Sequence, residues 1–394
     1  MLVHGLSGLG FAGANLLLAR ALPTTEYARF TLVIALMNLG FALAPMGIDG
    51  VVNRRRIAAG PGLLGRLLVP ALLVAGGLTL GGALGYGIRG AQLGMLFVAI
   101  AAGGAMMVAG ALFQSEQRFR LALALTQSPN LVLLLAAAVV LASRIYQAWL
   151  PVLIASSGFV AGAAYGWLRV LRRKKRTAGS DRFSWSEAIS IAGLSGAGLL
   201  LVQLERLVIP DVLPLTELAT FGVLAATVGS LFRVFQMATG YSLLPRLAGS
   251  PGILERRRLL RHELALAALL IMVGAVFLWL VLPLIERYLL GGKYQLGVPL
   301  VIAAVLSGVA KVLSSISEAS SKALAAPREL TLLNLWGWGA AAVAIASAVA
   351  LGRLWGLVGV IYGVAVGWLL RAAASGIVTA RHLRLPASVP VTVP

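Results

Sequence analysis

The feature that most constrains this chain is a series of apolar runs long enough to cross a bilayer, punctuated by short charged or Pro/Gly-rich segments. Stretches such as Leu67 to Leu84 and Leu264 to Ile285 are apolar on almost every face. A hydrocarbon core about 30 Å thick takes roughly 20 apolar residues per helix. Only helices or closed barrels satisfy their backbone groups in it, and barrel strands would alternate in polarity. Of the 394 residues 59% are hydrophobic and 12% charged, far from the surface balance of a water-soluble domain. The expectation is therefore an all-α polytopic membrane protein.

Splitting the runs at their punctuation gives twelve helices, near 2–19, 30–50, 62–87, 92–114, 121–142, 147–168, 187–209, 218–244, 264–284, 296–316, 331–351 and 354–378. The formal net charge of +20 resembles a nucleic-acid footprint, but its distribution points to membrane topology instead. With both termini on one side, 22 Lys and Arg fall in the segments on that side, 7 on the other and 4 within helices. The three largest clusters (Arg54 to Arg56, Arg169 to Arg182, Arg256 to Arg261) share the basic side. That side is read as the cytoplasm, with the chain in a bacterial inner membrane. No loop exceeds about 20 residues, and the first run lacks the charged flank and cleavage site of a secretory leader. Cysteine is absent, so thiolate metal sites and disulfides are excluded. His4, His262 and His382 lack ligand spacing, so neither metal nor cofactor is expected.

Two short patterns recur. Gly5-Leu6-Ser7-Gly8 returns as Gly193-Leu194-Ser195-Gly196, and Thr25-Glu26-Tyr27-Ala28-Arg29-Phe30 returns as Thr216-Glu217-Leu218-Ala219-Thr220-Phe221. Both copies lie at matching places, in helices one and seven and in the connections after them. Six helices separate them, so the halves share one topology and are related by an axis along the membrane normal. The expected organisation is a six-helix bundle over 1–168, a basic cytoplasmic linker over 169–186, a second six-helix bundle over 187–380 and a tail over 381–394. Such paired bundles suit alternating access around a midplane site.

Leu17 to Tyr27 (LLARALPTTEY), the later Met46-Gly47-Ile48-Asp49-Gly50 and Asn53-Arg54-Arg55 resemble the opening of polysaccharide and O-antigen flippases of the multidrug/oligosaccharidyl-lipid/polysaccharide (MOP) superfamily. Leu244-Pro245-Arg246-Leu247, Gly291-Gly292-Lys293-Tyr294 and Leu357-Val358-Gly359-Val360 extend the resemblance along nearly the whole chain. It implies a MATE-like fold and transport of a polyprenyl-diphosphate-linked oligosaccharide to the outer leaflet. Membrane lipids and other polysaccharide-assembly proteins are the implied partners.

An anionic cargo of this kind needs a cationic, wet cavity. Arg206, Arg233, Lys311 and Arg371 are the basic residues placed within helices, and burying a charge in lipid costs a few kcal/mol. Arg233, near Thr227, Ser230 and Gln236 at helical spacing, is the first candidate for diphosphate contact. Lys311 lies on a polar face with Ser307, Ser314, Ser315, Glu318 and Lys322, the last two spaced as an i,i+4 pair. Arg206 beside Glu205, and Arg20 at nearly the equivalent place, complete the cationic set, although interface anchoring suits both. Asn15, Gln203, Gln236, Ser307 and Ser314 are the candidate polar lining; for Asn15 and Gln203 plain helix–helix hydrogen bonding is the default reading and contact with sugar hydroxyls the sharper one. Competing readings are a cation-coupled drug exporter, which would want acidic residues inside helices one to six, a glycan polymerase or ligase, which would want a catalytic outer loop, and a non-transporting scaffold.

Overall fold

A computed structural model describes residues 2–55, 57, 61–172, 183–250 and 252–384. Most of the expected linker and the tail beyond residue 384 lie outside these. Thirteen α-helices follow one another among the described residues, with no strand: α1 Leu2–Ala21, α2 Thr24–Leu43, α3 Ile48–Arg55, α4 Pro61–Tyr86, α5 Ala91–Ser115, α6 Phe119–Ser143, α7 Trp149–Leu171, α8 Trp185–Val212, α9 Leu215–Leu224, α10 Ser230–Gly249, α11 Ile253–Leu284, α12 Val298–Leu324 and α13 Pro327–Arg384. A π-helical turn, Ala225–Gly229, joins α9 to α10, and another, Ile285–Leu289, follows α11. Ten described helical stretches are long and apolar enough to span a bilayer. One is α13, whose 58 residues break at Trp355 and Gly356 into two limbs, and α1 adds a 20-residue helix. Twelve membrane-length segments result, and α3 is too short to be one.

The chain divides into two compact units, 1–226 with 289–294, and 227–288 with 295–394. This division falls inside the first π turn, whereas the sequence repeat divides the chain at the linker, so α8 and α9 pack with the first six spans.

In the first unit α5 is the central helix, lying against α2, α3, α4, α6 and α7. Its approach depends on missing side chains. A Cβ on Gly40 would overlap Ile100, one on Gly103 would overlap Phe41 and one on Gly104 would overlap Ala44. Lipid gives helices little hydrophobic reason to associate, so close van der Waals contact through small residues does the work. Trp167 donates its indole N–H to the Ala105 carbonyl at 2.9 Å, fixing α7 on α5. In the second unit α12 packs on α10 and α13. A Cβ on Gly359 or Gly363 would overlap backbone of Leu351 or Ala348, so the limbs of α13 meet at backbone distance.

The structure revises several expected boundaries. The second span begins at Thr24, not residue 30, because Pro23 sets the entry angle (φ −52°, ψ 149°). Pro214 does the same before α9 (φ −55°, ψ 144°), so the repeat is also one of backbone geometry. The span ends at Leu43, where Met46 (φ 43°) and Gly47 (φ 79°) turn the chain into α3. The ninth span starts eleven residues early, as α11 carries the Arg256 to Arg261 cluster in its first turns.

Gly47 is doubly constrained, since its φ disfavours L side chains and a Cβ would overlap the Ala188 carbonyl of α8. Gly47→Ala should cost about 3 kcal/mol, read as a lowered thermal midpoint in detergent, while Gly62→Ala, with open space around it, should be near neutral.

Candidate functional site

The candidate residues separate into one group in each compact unit. In the first unit Asn15 is buried on α1, and its amide donates to the Phe11 carbonyl at 2.8 Å, one turn back in its own helix. Gln203 is buried on α8 and accepts from Arg206 Nη1 at 2.9 Å. Both side chains thus bond within their own helices. Arg206 is half-buried, with its guanidinium 5.8 Å from the centre of the Phe221 ring on α9, a favourable cation–π distance. Arg20 is exposed in the last turn of α1.

Around this group α2 meets α9, the helices that carry the two copies of the Thr-Glu pattern. Tyr27 is fully buried, and a Cβ on Gly222 would lie 2.9 Å from Thr31 Oγ1 and 3.1 Å from the Tyr27 hydroxyl. Tyr27 stacks on Phe30 and meets Tyr294 edge-on at 6.3 Å. The neighbouring Lys293 donates to the carbonyls of Ala19 and Leu22, capping the end of α1; a cation suits a helix C-terminus and its unpaired carbonyls. Desolvation holds the Lys293 ammonium below its ordinary range and raises the Tyr294 hydroxyl to about 12. Tyr86 donates its hydroxyl to the Leu207 carbonyl at 3.0 Å, tying α4 to α8. Tyr27 and Thr31 in the first turns of α2 thus pack on Gly222 of α9, Lys293 ties the 290–294 segment to the end of α1, and Tyr86 ties α4 to α8. Sequence reasoning gave Lys293 and Tyr294 no such part; the available signal was the Gly291-Gly292 pair, whose positive φ values (63° and 74°) make the loop turn.

The second group lies on α10 and α12 in the other unit. Ser315 donates to the Gln236 carbonyl at 3.0 Å, and a Cβ on Gly308 would overlap the Phe232 ring, so the two helices interlock. Ser307 and Ser314 are buried with hydroxyls that find no protein partner, Lys311 is half-buried and Arg233 is exposed. Arg233 lies near the middle of the helical stretch 215–249, just after the π turn.

A charge network also emerges. Because α12 continues to Leu324, Glu318 falls within the helix, where its carboxylate bridges Lys322 at 2.7 Å and Arg371 of α13 at 2.9 Å. The expected i,i+4 pair is present, and Arg371, given no role from sequence, completes it. Arg371 is 8% exposed, and its Nη1 lacks a partner, as does the indole N–H of Trp368 one turn away. Removing one partner of a buried pair leaves an uncompensated charge. Glu318→Gln should therefore destabilise the protein by about 3 kcal/mol in thermal unfolding, and the double change with Arg371→Met should recover much of the loss.

A scan of protein-family models finds no match, and neither does a search of curated protein sequences. Solved structures do match over nearly the whole chain. A lipid II flippase, MurJ, in an inward closed conformation aligns with TM-score 0.67 at 11% identity, covering 95% of this chain and 86% of that one. An inward-facing multidrug resistance MATE transporter aligns with TM-score 0.62 at 13% identity, covering 96% and 94%. A MOP-superfamily transporter from Pyrococcus furiosus, described as having a binding pocket of reverse polarity, aligns with TM-score 0.52 at 12% identity, covering 97% and 93%. Twelve spans with a repeat at their midpoint, and these alignments, give the chain the two-lobed fold of MOP-superfamily transporters.

Proposed function

We propose that the protein is a flippase that moves a polyprenyl-diphosphate-linked oligosaccharide from the cytoplasmic to the outer leaflet by alternating access, for surface-polysaccharide synthesis in a bacterial inner membrane. In this reading both termini are cytoplasmic, and the transport halves are 1–168 and 187–380, joined by the linker 169–186 and followed by the tail 381–394. The observation that carries it is Arg233, an arginine exposed within a membrane-length helical stretch. Acyl chains are a costly neighbour for that charge, whereas water and a diphosphate are favourable ones, Arg being suited to bidentate phosphate contact. Gln236, Ser307, Lys311 and Ser314 supply polar groups on the same pair of helices, and Arg206, Arg20, Asn15 and Gln203 are their counterparts in the first unit. A lipid-linked cargo also accords with the likeness to a lipid II flippase.

The likeness to a MATE multidrug transporter keeps a cation-coupled exporter as the second reading. Against it, the acidic side chains described in α1, α2 and α4 to α7 reduce to Glu26. That residue stands at the start of α2 and is engaged by Arg29 and the Ala148 backbone N–H. A cation site in those helices would want a carboxylate at mid-depth.

The seal formed by Lys293, Tyr294, Tyr27 and Gly222 is read as the closed outer gate of this cycle. Because the chain has no cysteine, single cysteines report on it cleanly. A cysteine at position 222 should react with a membrane-impermeant thiol reagent at least about fivefold faster when Lys293→Ala is added. Equal rates would separate Lys293 from the gate.

Transport itself is tested in vesicles holding a fluorescent polyprenyl-diphosphate sugar. The purified protein should speed leaflet exchange over empty vesicles, and Arg233→Ala should reduce that gain at least tenfold while inserting normally. No gain for the unaltered protein sinks the flippase reading; an unimpaired Arg233→Ala variant removes that residue from the cargo path.

A further inference from the structure

In the second unit, the lipid-facing stripe of α11 does not end where its apolar residues end. Leu269, Met272, Val276 and Trp279 are 51–60% exposed, as expected of side chains that meet acyl chains. Carried back at helical spacing, the same stripe runs through Arg261, Arg258 and Leu254, since offsets of 4, 7, 15, 18, 22 and 25 residues from Leu254 all fall within a narrow arc. Leu254 is 80% exposed, and both arginines are exposed. From Trp279 to Arg261 the helix rises about 27 Å, close to the thickness of the hydrocarbon core. The two guanidinium groups therefore stand at headgroup depth and point outward along the surface that lipid covers.

A neighbouring helix end reinforces them. Arg257 donates from Nε and Nη2 to the Leu383 carbonyl at 3.1 and 2.7 Å, which pins the last turn of α13 beside the first turns of α11. That last turn carries Arg381 and Arg384, both exposed. The nearby acidic groups do not balance this charge. Glu263 is buried, Glu329 is taken by His382 at 2.7 Å, and Glu255 alone is exposed beside Arg257, Arg258, Arg261, Arg381 and Arg384, all exposed. His262, exposed on α11, adds no negative charge.

We infer that Arg258, Arg261, Arg381 and Arg384 form a clamp for anionic phospholipid headgroups at the basic end of the second unit. The shared stripe selects a lipid over a soluble partner, because an occupant of the guanidinium groups must leave Met272 and Val276 against acyl chains and place Leu254 among headgroups. A phosphodiester carrying its own two tails meets those conditions. Guanidinium forks bind phosphate oxygens bidentately, and basic residues next to a span attract anionic lipid. The clamp is independent of the cargo reading, since none of its residues is placed in the candidate transport site.

The test uses the full chain in nanodiscs of phosphatidylcholine with one-third phosphatidylglycerol, counting lipids that stay bound by native mass spectrometry. The unaltered protein should retain phosphatidylglycerol at least about fivefold over its share of the mixture, the scale of one arginine at a charged surface. R258Q/R261Q/R381Q/R384Q should retain it at its bulk share, and the pair R258Q/R261Q should fall between. R89Q/R144Q/R353Q removes exposed arginines at the other ends of the spans and should retain the full preference. The inference is overturned if the unaltered protein shows no preference, as it would if a soluble partner were the true occupant. It is also overturned if R258Q/R261Q keeps the full preference, or if R89Q/R144Q/R353Q loses as much as the fourfold change. R258Q/R261Q serves where the fourfold variant does not fold.

Discussion

The absence of water from the bilayer core governs this structure. Backbone groups at that depth are satisfied chiefly within their own helices, and helices then have little hydrophobic reason to associate, since lipid is as apolar as they are. Contact area and geometry have to hold them together. The glycines at 40, 103 and 104 let Ile100, Phe41 and Ala44 seat against the facing helix backbone, and those at 359 and 363 bring the limbs of α13 to backbone contact. Thr31, Ser156 and Trp167 each bond a carbonyl of their own helix or a neighbour, whereas the buried hydroxyls of Ser307 and Ser314 find no such partner. Charges are held in the same spirit, with Glu318 placed between two cations and not left alone.

This constraint also explains what was legible in the sequence. Span number was readable because a bilayer imposes length and apolarity on each helix, and the two limbs of α13 fall where Arg353 and Trp355 interrupt an apolar run. Ends were less readable. Thr24 to Phe30 look like a loop because Glu26 and Arg29 are charged, yet they form the first turns of α2 and bond each other. The Arg256 to Arg261 cluster likewise reads as loop but is helical, since arginine favours helices and the apolar part of α11 nucleates what precedes it.

The candidate site was legible in part. Periodicity placed Ser307, Lys311, Ser314 and Glu318 on one face of α12, and the i,i+4 pair followed from spacing alone. Arg371 and Lys293 escaped because their partners lie 53 and 271 to 274 residues away in the chain, beyond any local pattern. Asn15 escaped for the opposite reason. An amide in an apolar helix invites a search for distant partners, and its acceptor is the carbonyl one turn back.

The π turn at Ala225–Gly229 has a consequence for how such a chain can vary. A π turn holds one residue more than the α turn it replaces, so it rotates everything after it by roughly 100° relative to an unbroken helix. The direction of the Arg233 guanidinium is thus set by a bulge several residues upstream as much as by its own position. Loss of one residue there would restore regular α geometry and swing Arg233, Gln236 and Ser230 together onto another face. Relatives with the same residues but a differently placed bulge would present the same chemistry to different surroundings.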